Sequence, residues 1–338
     1  MTSTLLISQK VVHEYGERIT DILDAAPRKL ELIEFTPTLA PTARQLESID
    51  AAFYSRDIWT GTIKDVLNAP SLNFWSIVDA APNVKWIQLV SAGADQLHYR
   101  PAMARRLRLT TSSGTNAEPV ALTAVTGLLM LARGFPHWTR AQQRREWAPQ
   151  SAATHPRDLS GQIAVIVGTG HIGKIIARAL KGMGVRTIGV RRHAAPVEHF
   201  DDVRSISELD ALLPQCDWLV LACPLTRETR GLMDARRLAL LPRHAGFVNV
   251  SRGEVVDEPA LIDALAASRI KGAYLDVFAD EPLHADSPLW ELPNTIITPH
   301  DSTASAGNYG RGVELFLSNL AAYLRGKKLK NEVERDST

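Results

Sequence analysis

Short apolar runs alternate along this chain with stretches whose apolar positions recur every three or four residues, which is the rhythm of an α/β protein. Two such arrays can be distinguished. In the first, residues 4–7, 30–35, 51–54, 84–90 and 107–111 predict strands with helices between most of them, hence a small doubly wound domain. The polar stretch SSGTNAEP, residues 112–119, then reads as a crossing segment, and an apolar helix follows over 120–133. Strands return at 163–167, 186–190, 218–221, 246–250, 272–276 and 295–298, the six that a dinucleotide-binding sheet requires. Past Pro299 the chain turns small and polar, and an amphipathic helix over 309–324 has no strand left to follow it; it is expected to pack back on the first domain.

At 338 residues the chain is too long for one ordinary core, which agrees with two domains. The boundaries expected are 1–111, completed by 304–338, for the first and 112–303 for the second. A formal net charge of +1 argues against nucleic acid or an anionic membrane as the main partner. The apolar run at the start is too short for a signal peptide, and no segment has the apolar length of a membrane span. Cys216 and Cys223 match no metal-ligand spacing, and a secreted disulfide framework needs more cysteines. These features together predict a soluble, cytoplasmic protein with reduced thiols.

The most informative motif follows the run IAVIV directly: Gly168-Thr169-Gly170-His171-Ile172-Gly173, with helix KIIARALKGMG behind it. Here Gly168 permits the tight turn, Gly170 the approach of backbone to a pyrophosphate, and Gly173 the close packing of helix on strand. The helix N-terminus turns unpaired N–H groups towards the phosphates. His171 either touches those phosphates or points into solvent. About twenty residues on, where an NAD site usually places an acid for the ribose, the next strand ends in Arg191-Arg192. Two guanidiniums there suit the 2′-phosphate of NADP; the alternative is a pair of solvated arginines beside an NAD site.

Three later strand ends carry NVSRGEVVD, DVFADEP and TPHDS, and ligands of an open parallel sheet bind beyond such ends. Arg252, Asp276, Glu281 and His300 are therefore expected to converge on a nicotinamide. Reduction of a 2-keto acid needs a proton for the carbonyl oxygen and a cation for the carboxylate. A histidine kept protonated by a carboxylate such as Glu281 suits the first task, and the fork of Arg252 the second.

The segments NVSRGEVVD, GAYLDVFADEPL and LPNTIITPH resemble the three signatures of the D-isomer-specific 2-hydroxyacid dehydrogenases, and DLSGQIAVIVGTGHIG resembles their cofactor fingerprint. The resemblance runs from the SAGAD segment, 91–95, to the TPH segment and is much weaker before residue 80. It implies a Rossmann dinucleotide-binding domain with a smaller flavodoxin-like substrate domain, and a reductase or dehydrogenase with Arg252, Glu281 and His300 as catalytic residues. It further implies substrate contacts from the N–H groups of Ala92 and Gly93, and cofactor contacts from Cys223, Pro224 and Thr229 in ACPLTRET, from Val250 and Ser251, and from Asp276, which holds the nicotinamide amide. Trp290 either walls the substrate pocket or anchors its loop. The segment HWTRAQQRREW, 137–147, resembles the part of these enzymes that reaches across a homodimer. Thr123 departs from the acid many relatives carry in that helix.

The reading is then an NADPH-dependent reductase, NADPH favoured over NADH, that converts glyoxylate, hydroxypyruvate or a similar small 2-keto acid to the D-2-hydroxy acid. Glu281 argues against formate oxidation, for which the family has an amide. An NAD-dependent phosphoglycerate-type dehydrogenase stays open, as does a corepressor-like interaction protein that senses the dinucleotide without turning it over.

Overall fold

The computed structural model describes residues 2–59, 67–105, 107–151 and 155–333; the last five residues of the expected C-terminal extension lie outside the described residues. The chain divides into two compact units, residues 1–116 with 305–338 and residues 117–304. The expected boundaries are 111/112 and 303/304; here 112–116 stay with the first unit, where Ser112 N–H donates to the Ser91 carbonyl at 2.7 Å and Asn331 to that of Ser113 at 2.7 Å.

The first unit has five parallel strands, β1 (Thr4–Ser8), β2 (Glu31–Phe35), β3 (Ile49–Tyr54), β4 (Trp86–Leu89) and β5 (Arg108–Thr110), in the order β2-β1-β3-β4-β5, the flavodoxin-like order. β1, β3 and β4 are buried throughout, as strands covered on both faces must be. The helix Asn308–Leu324 covers one of those faces. Its Phe316 stacks on Phe53 with centroids 4.1 Å apart, and Val313, Leu317 and Leu320 join Leu5, Ile7 and Trp86 in the same core. Asn319, fully buried on that helix, is satisfied by the side chain of Gln88 at 2.8 Å.

The second unit has seven parallel strands: β6 (Ile163–Val167), β7 (Arg186–Arg191), β8 (Asp202–Ser205), β9 (Trp218–Leu221), β10 (Gly246–Asn249), β11 (Gly272–Leu275) and β12 (Thr295–Ile297). Their order is β12-β11-β10-β9-β6-β7-β8, so the direction of winding reverses between β6 and β9. Alternate residues of β6 face opposite cores. Ala164 and Ile166 pack with the helices Ala117–Arg133 and His171–Gly182, whereas Val165 and Val167 pack with Leu209, Leu238 and Leu265 on the other side. The sequence predicts six strands and misses β8. DVRS is short and polar, and its partner is only β7 at the edge, so it lacks the apolar run by which the others are recognised. No single helix among the described residues is long and apolar enough to cross a membrane.

Candidate functional site

Six of the seven strands end towards one edge in loops that bear the residues singled out above, and the reversal between β6 and β9 creates the crevice in which such sheets bind ligands. The turn after β6 is built by close approach. Gly168 has φ +106°, and a Cβ on it would stand 2.5 Å from the Ala222 carbonyl oxygen and 2.7 Å from Cys223 N; a Cβ on Gly173 would stand 1.9 Å from the Gly168 oxygen. Both glycines are thus demanded by the fold itself. Gly170 is different: nothing lies within 4 Å of its would-be Cβ. The protein's own packing does not exclude a side chain there, whereas a ligand drawn against the backbone would. Gly170 is also the N-cap of the helix His171–Gly182 and offers no capping side chain, so the first N–H groups of that helix face outward. These features fit a dinucleotide pyrophosphate. His171 is exposed in the first turn, and Ile172 is half-buried behind it.

The loop after β9 lies against this turn. Thr229, buried, accepts from Thr226 N–H at 2.8 Å and donates to the Pro224 carbonyl at 2.7 Å, which locks the course of the segment. Burial pushes the Cys223 thiol up to about 12, so it is a neutral packing group. At the end of β7 the two arginines part company. Arg192 pairs with Glu228 at 2.9 Å, both exposed, while Arg191 is exposed with no side-chain partner among the described residues.

After β10, Asn249 acts as the organiser, a residue the sequence reading did not single out. Its Oδ1 accepts from the Ser251 hydroxyl at 2.7 Å and the Ser251 N–H at 3.0 Å, and its Nδ2 donates to the Arg252 carbonyl at 3.1 Å. Val250 is buried, its N–H donating to the Leu221 carbonyl at 3.1 Å. The guanidinium of Arg252 donates to the Ser251 carbonyl at 2.8 Å. Gly253 makes the next contact: a Cβ there would stand 1.8 Å from the Phe278 carbonyl carbon. Only glycine lets the arginine loop lie against the segment that carries Glu281.

Asp276, buried at the end of β11, holds the loop after β12. Its Oδ1 accepts from the Thr298 hydroxyl at 2.6 Å and from the N–H groups of Asp301 and Ser302 at 3.1 and 3.2 Å. Thr298 spends its proton on Asp276, so the Tyr274 hydroxyl, 2.6 Å away, donates to Thr298; burial pushes that phenol up to about 12 and keeps the proton on it. His300 N–H donates to the Asp276 carbonyl at 2.8 Å, with His300 itself at φ +52°, in the left-handed region a non-glycine residue seldom adopts. In that pose His300 Nδ1 lies 2.7 Å from Glu281 Oε2, while Glu281 Oε1 accepts from Phe278 N–H at 3.0 Å. The Glu281 side chain is 8% exposed and the imidazole 28%, so the acid is sequestered and the ring is reachable. Glu258, also not anticipated, accepts from Ala279 N–H at 2.9 Å and fixes the same loop. Burial raises its carboxyl above the ordinary range, Ala279 pulls the other way, and Asp280 and Glu281 add to the rise.

Trp290 is 52% exposed, with its indole N–H on the His284 carbonyl at 2.8 Å, so it anchors its loop while showing a face to solvent. Ala92 and Gly93 belong to the five-stranded unit, where the Ser91 hydroxyl holds the Gly93 carbonyl at 2.6 Å and pairs with Tyr99 at 3.0 Å. Thr123 turns its hydroxyl back onto the Pro119 carbonyl at 2.9 Å.

Residues 125–302 match the family model described as D-isomer specific 2-hydroxyacid dehydrogenase, NAD binding domain. The chain belongs to the D-isomer-specific 2-hydroxyacid dehydrogenase family. This dehydrogenase is accordingly an NAD(P)-dependent oxidoreductase with two parallel-sheet α/β domains. It is 34% identical to a glyoxylate reductase of Thermococcus kodakarensis over 74% of this chain and 77% of that one. Among solved structures it resembles a family member of Xanthobacter autotrophicus in complex with NADPH and MES, at TM-score 0.76 and 27% identity over 99% of both chains. It also resembles an NADPH-dependent glyoxylate/hydroxypyruvate reductase of Sinorhizobium meliloti in complex with NADP and sulfate, at TM-score 0.74 and 25% identity over 99% of both. For the dehydrogenase described here, the glycine turn and the outward N–H groups are the parts fitted to hold the dinucleotide.

Proposed function

We propose that this dehydrogenase reduces small 2-keto acids, glyoxylate and hydroxypyruvate foremost, to D-2-hydroxy acids, with NADPH favoured over NADH and His300 as the proton donor. The observation that carries the reading is the His300–Glu281 pair at 2.7 Å, at the strand edge that bears the glycine turn. Bound NADPH supplies the hydride. The rest falls to the chain's own residues. Glu281 accepts from Nδ1–H, which sets the ring orientation and leaves Nε2 to present the proton to the carbonyl oxygen. Arg252 offers its fork to the substrate carboxylate and so aligns the carbonyl. Arg191, without an acidic partner among the described residues, supports the preference for a 2′-phosphate. The names of the relatives support the substrate class. In this reading the five-stranded unit is the substrate domain.

A homodimer belongs to the same reading. Trp147 is 97% exposed, and Phe135 and Trp138 show 43% and 37% on or beside the helix Phe135–Gln143. Such aromatic surface suits burial against a second copy.

The test is the loss of reduced-nicotinamide absorbance with NADPH and NADH against glyoxylate, hydroxypyruvate, pyruvate and 3-phosphohydroxypyruvate. Fast NADPH oxidation with either of the first two is expected. Preference for the phosphorylated acid with NADH would replace this reading by the phosphoglycerate type, and tight NADPH binding without turnover by a sensor.

A further inference from the structure

The opposite edge of the seven-stranded sheet also bears an organised cluster. Parallel strands bring all their amino ends to one side, and Gln162, Asp217 and Lys271 directly precede β6, β9 and β11 there. A cavity of about 260 Å³ opens among these strand entries. Cations gather in it: Arg157, Arg243 and Lys271, with His155 and His244 beside them. One carboxylate balances them. Asp217 is already committed, accepting from Arg157 at 2.6 Å and from Ile163 N–H at 2.8 Å, with His244 Nε2 at 3.1 Å.

Lys271 has no acceptor and no carboxylate partner among the described residues, and is half-buried with its ammonium 5.3 Å from the centre of the Trp218 ring. That ring is held by its indole N–H on Gln162 Oε1 at 2.5 Å. Burial lowers the Lys271 ammonium below its ordinary range; Arg157 pushes the same way and Asp217 opposes both. A half-buried cation beside like charges is costly unless an anion offsets it. Arg243 uses Nε on the Ser268 carbonyl at 3.1 Å and meets no acid among the described residues.

We propose that this cavity is a second anion site, separate from the dinucleotide site, and that it takes a phosphate group. Forked guanidiniums and an ammonium around a small cavity match the compact dianion of phosphate or a small phosphate monoester. The volume is below that of an ordinary drug-sized pocket. Strands of four or five residues set it about 15 Å from the opposite edge. A ligand there ties together the entries of β6, β10 and β11 and so stabilises the folded unit by mass action.

The experiment is thermal unfolding of the protein saturated with NADPH, so that the phosphate sites of the dinucleotide are filled. Chloride, inorganic phosphate and glycerol 3-phosphate are compared at equal ionic strength. A saturable rise in Tm of about 2 °C at ten times the Kd is expected with phosphate and not with chloride. Saturation at lower concentration by glycerol 3-phosphate or by inorganic phosphate names the source of the group. Arg243→Gln, an exposed position, and Lys271→Gln should each reduce the rise, and the double variant should abolish it. The proposal is overturned if phosphate does no more than chloride on the NADPH-saturated protein, or if Arg243→Gln and the double variant keep the rise in full.

Discussion

The two edges of the large sheet are built on opposite principles. At the carboxyl edge each acid named above has been supplied with donors by the chain itself: Asp276 takes three on one oxygen, and Glu281 takes Phe278 N–H and stands against His300. At the amino edge, among the described residues, two arginines and a lysine gather about one committed aspartate. In the proposed function, chemistry at the first would depend on groups already satisfied and oriented, which leaves only chosen atoms, such as His300 Nε2, to act. The second depends on charge left uncompensated, which makes it a place for binding.

If that contrast is right, damage at the carboxyl edge should be far out of proportion to the atoms removed. The largest effect is expected from His300→Ala, which should lower kcat by about 10²- to 10⁴-fold while leaving the Kd for NADPH nearly unchanged. Steady-state kinetics beside cofactor titration check this, and unchanged turnover removes His300 from the mechanism. Next comes Gly253→Ala. With a Cβ placed 1.8 Å from a carbonyl carbon, the arginine loop and the Glu281 loop must separate, at a cost of about 3 kcal/mol in urea unfolding. A smaller effect follows from Arg191→Asp, which should move the NADPH-to-NADH preference about tenfold towards NADH. A ratio of kcat/KM values that does not move would assign the 2′-phosphate elsewhere.

How far these features can be read without coordinates depends on the kind of constraint. The glycine turn is legible because the spacing itself records two close approaches, at Gly168 and Gly173. The His300–Glu281 pair is legible because strand ends in a parallel sheet share an edge, even for residues that far apart in sequence. Asn249, Glu258 and Thr298 escape notice because a polar residue that orders a loop looks, in sequence, like one that only faces water. The same holds for Arg192, whose partner Glu228 depends on how the loop after β9 folds back. β8 escapes because it pairs through its backbone and has almost no apolar signature.

The helix Asn308–Leu324 has a consequence for how the chain is made. Its Phe316 meets Phe53, and its Glu314 accepts from Arg18 at 2.8 Å, across a sequence separation of 296. The five-stranded unit therefore cannot complete its core until residues 308–324 have left the ribosome, whereas the seven-stranded unit is one continuous stretch and can condense earlier. During synthesis the β1–β3 face that awaits this helix is apolar and covered only in part, by Val11 and Ile19 of the helix Gln9–Asp24. A chain cut short before residue 313 leaves Phe53 and Trp86 without the aromatic and aliphatic partners that this helix supplies.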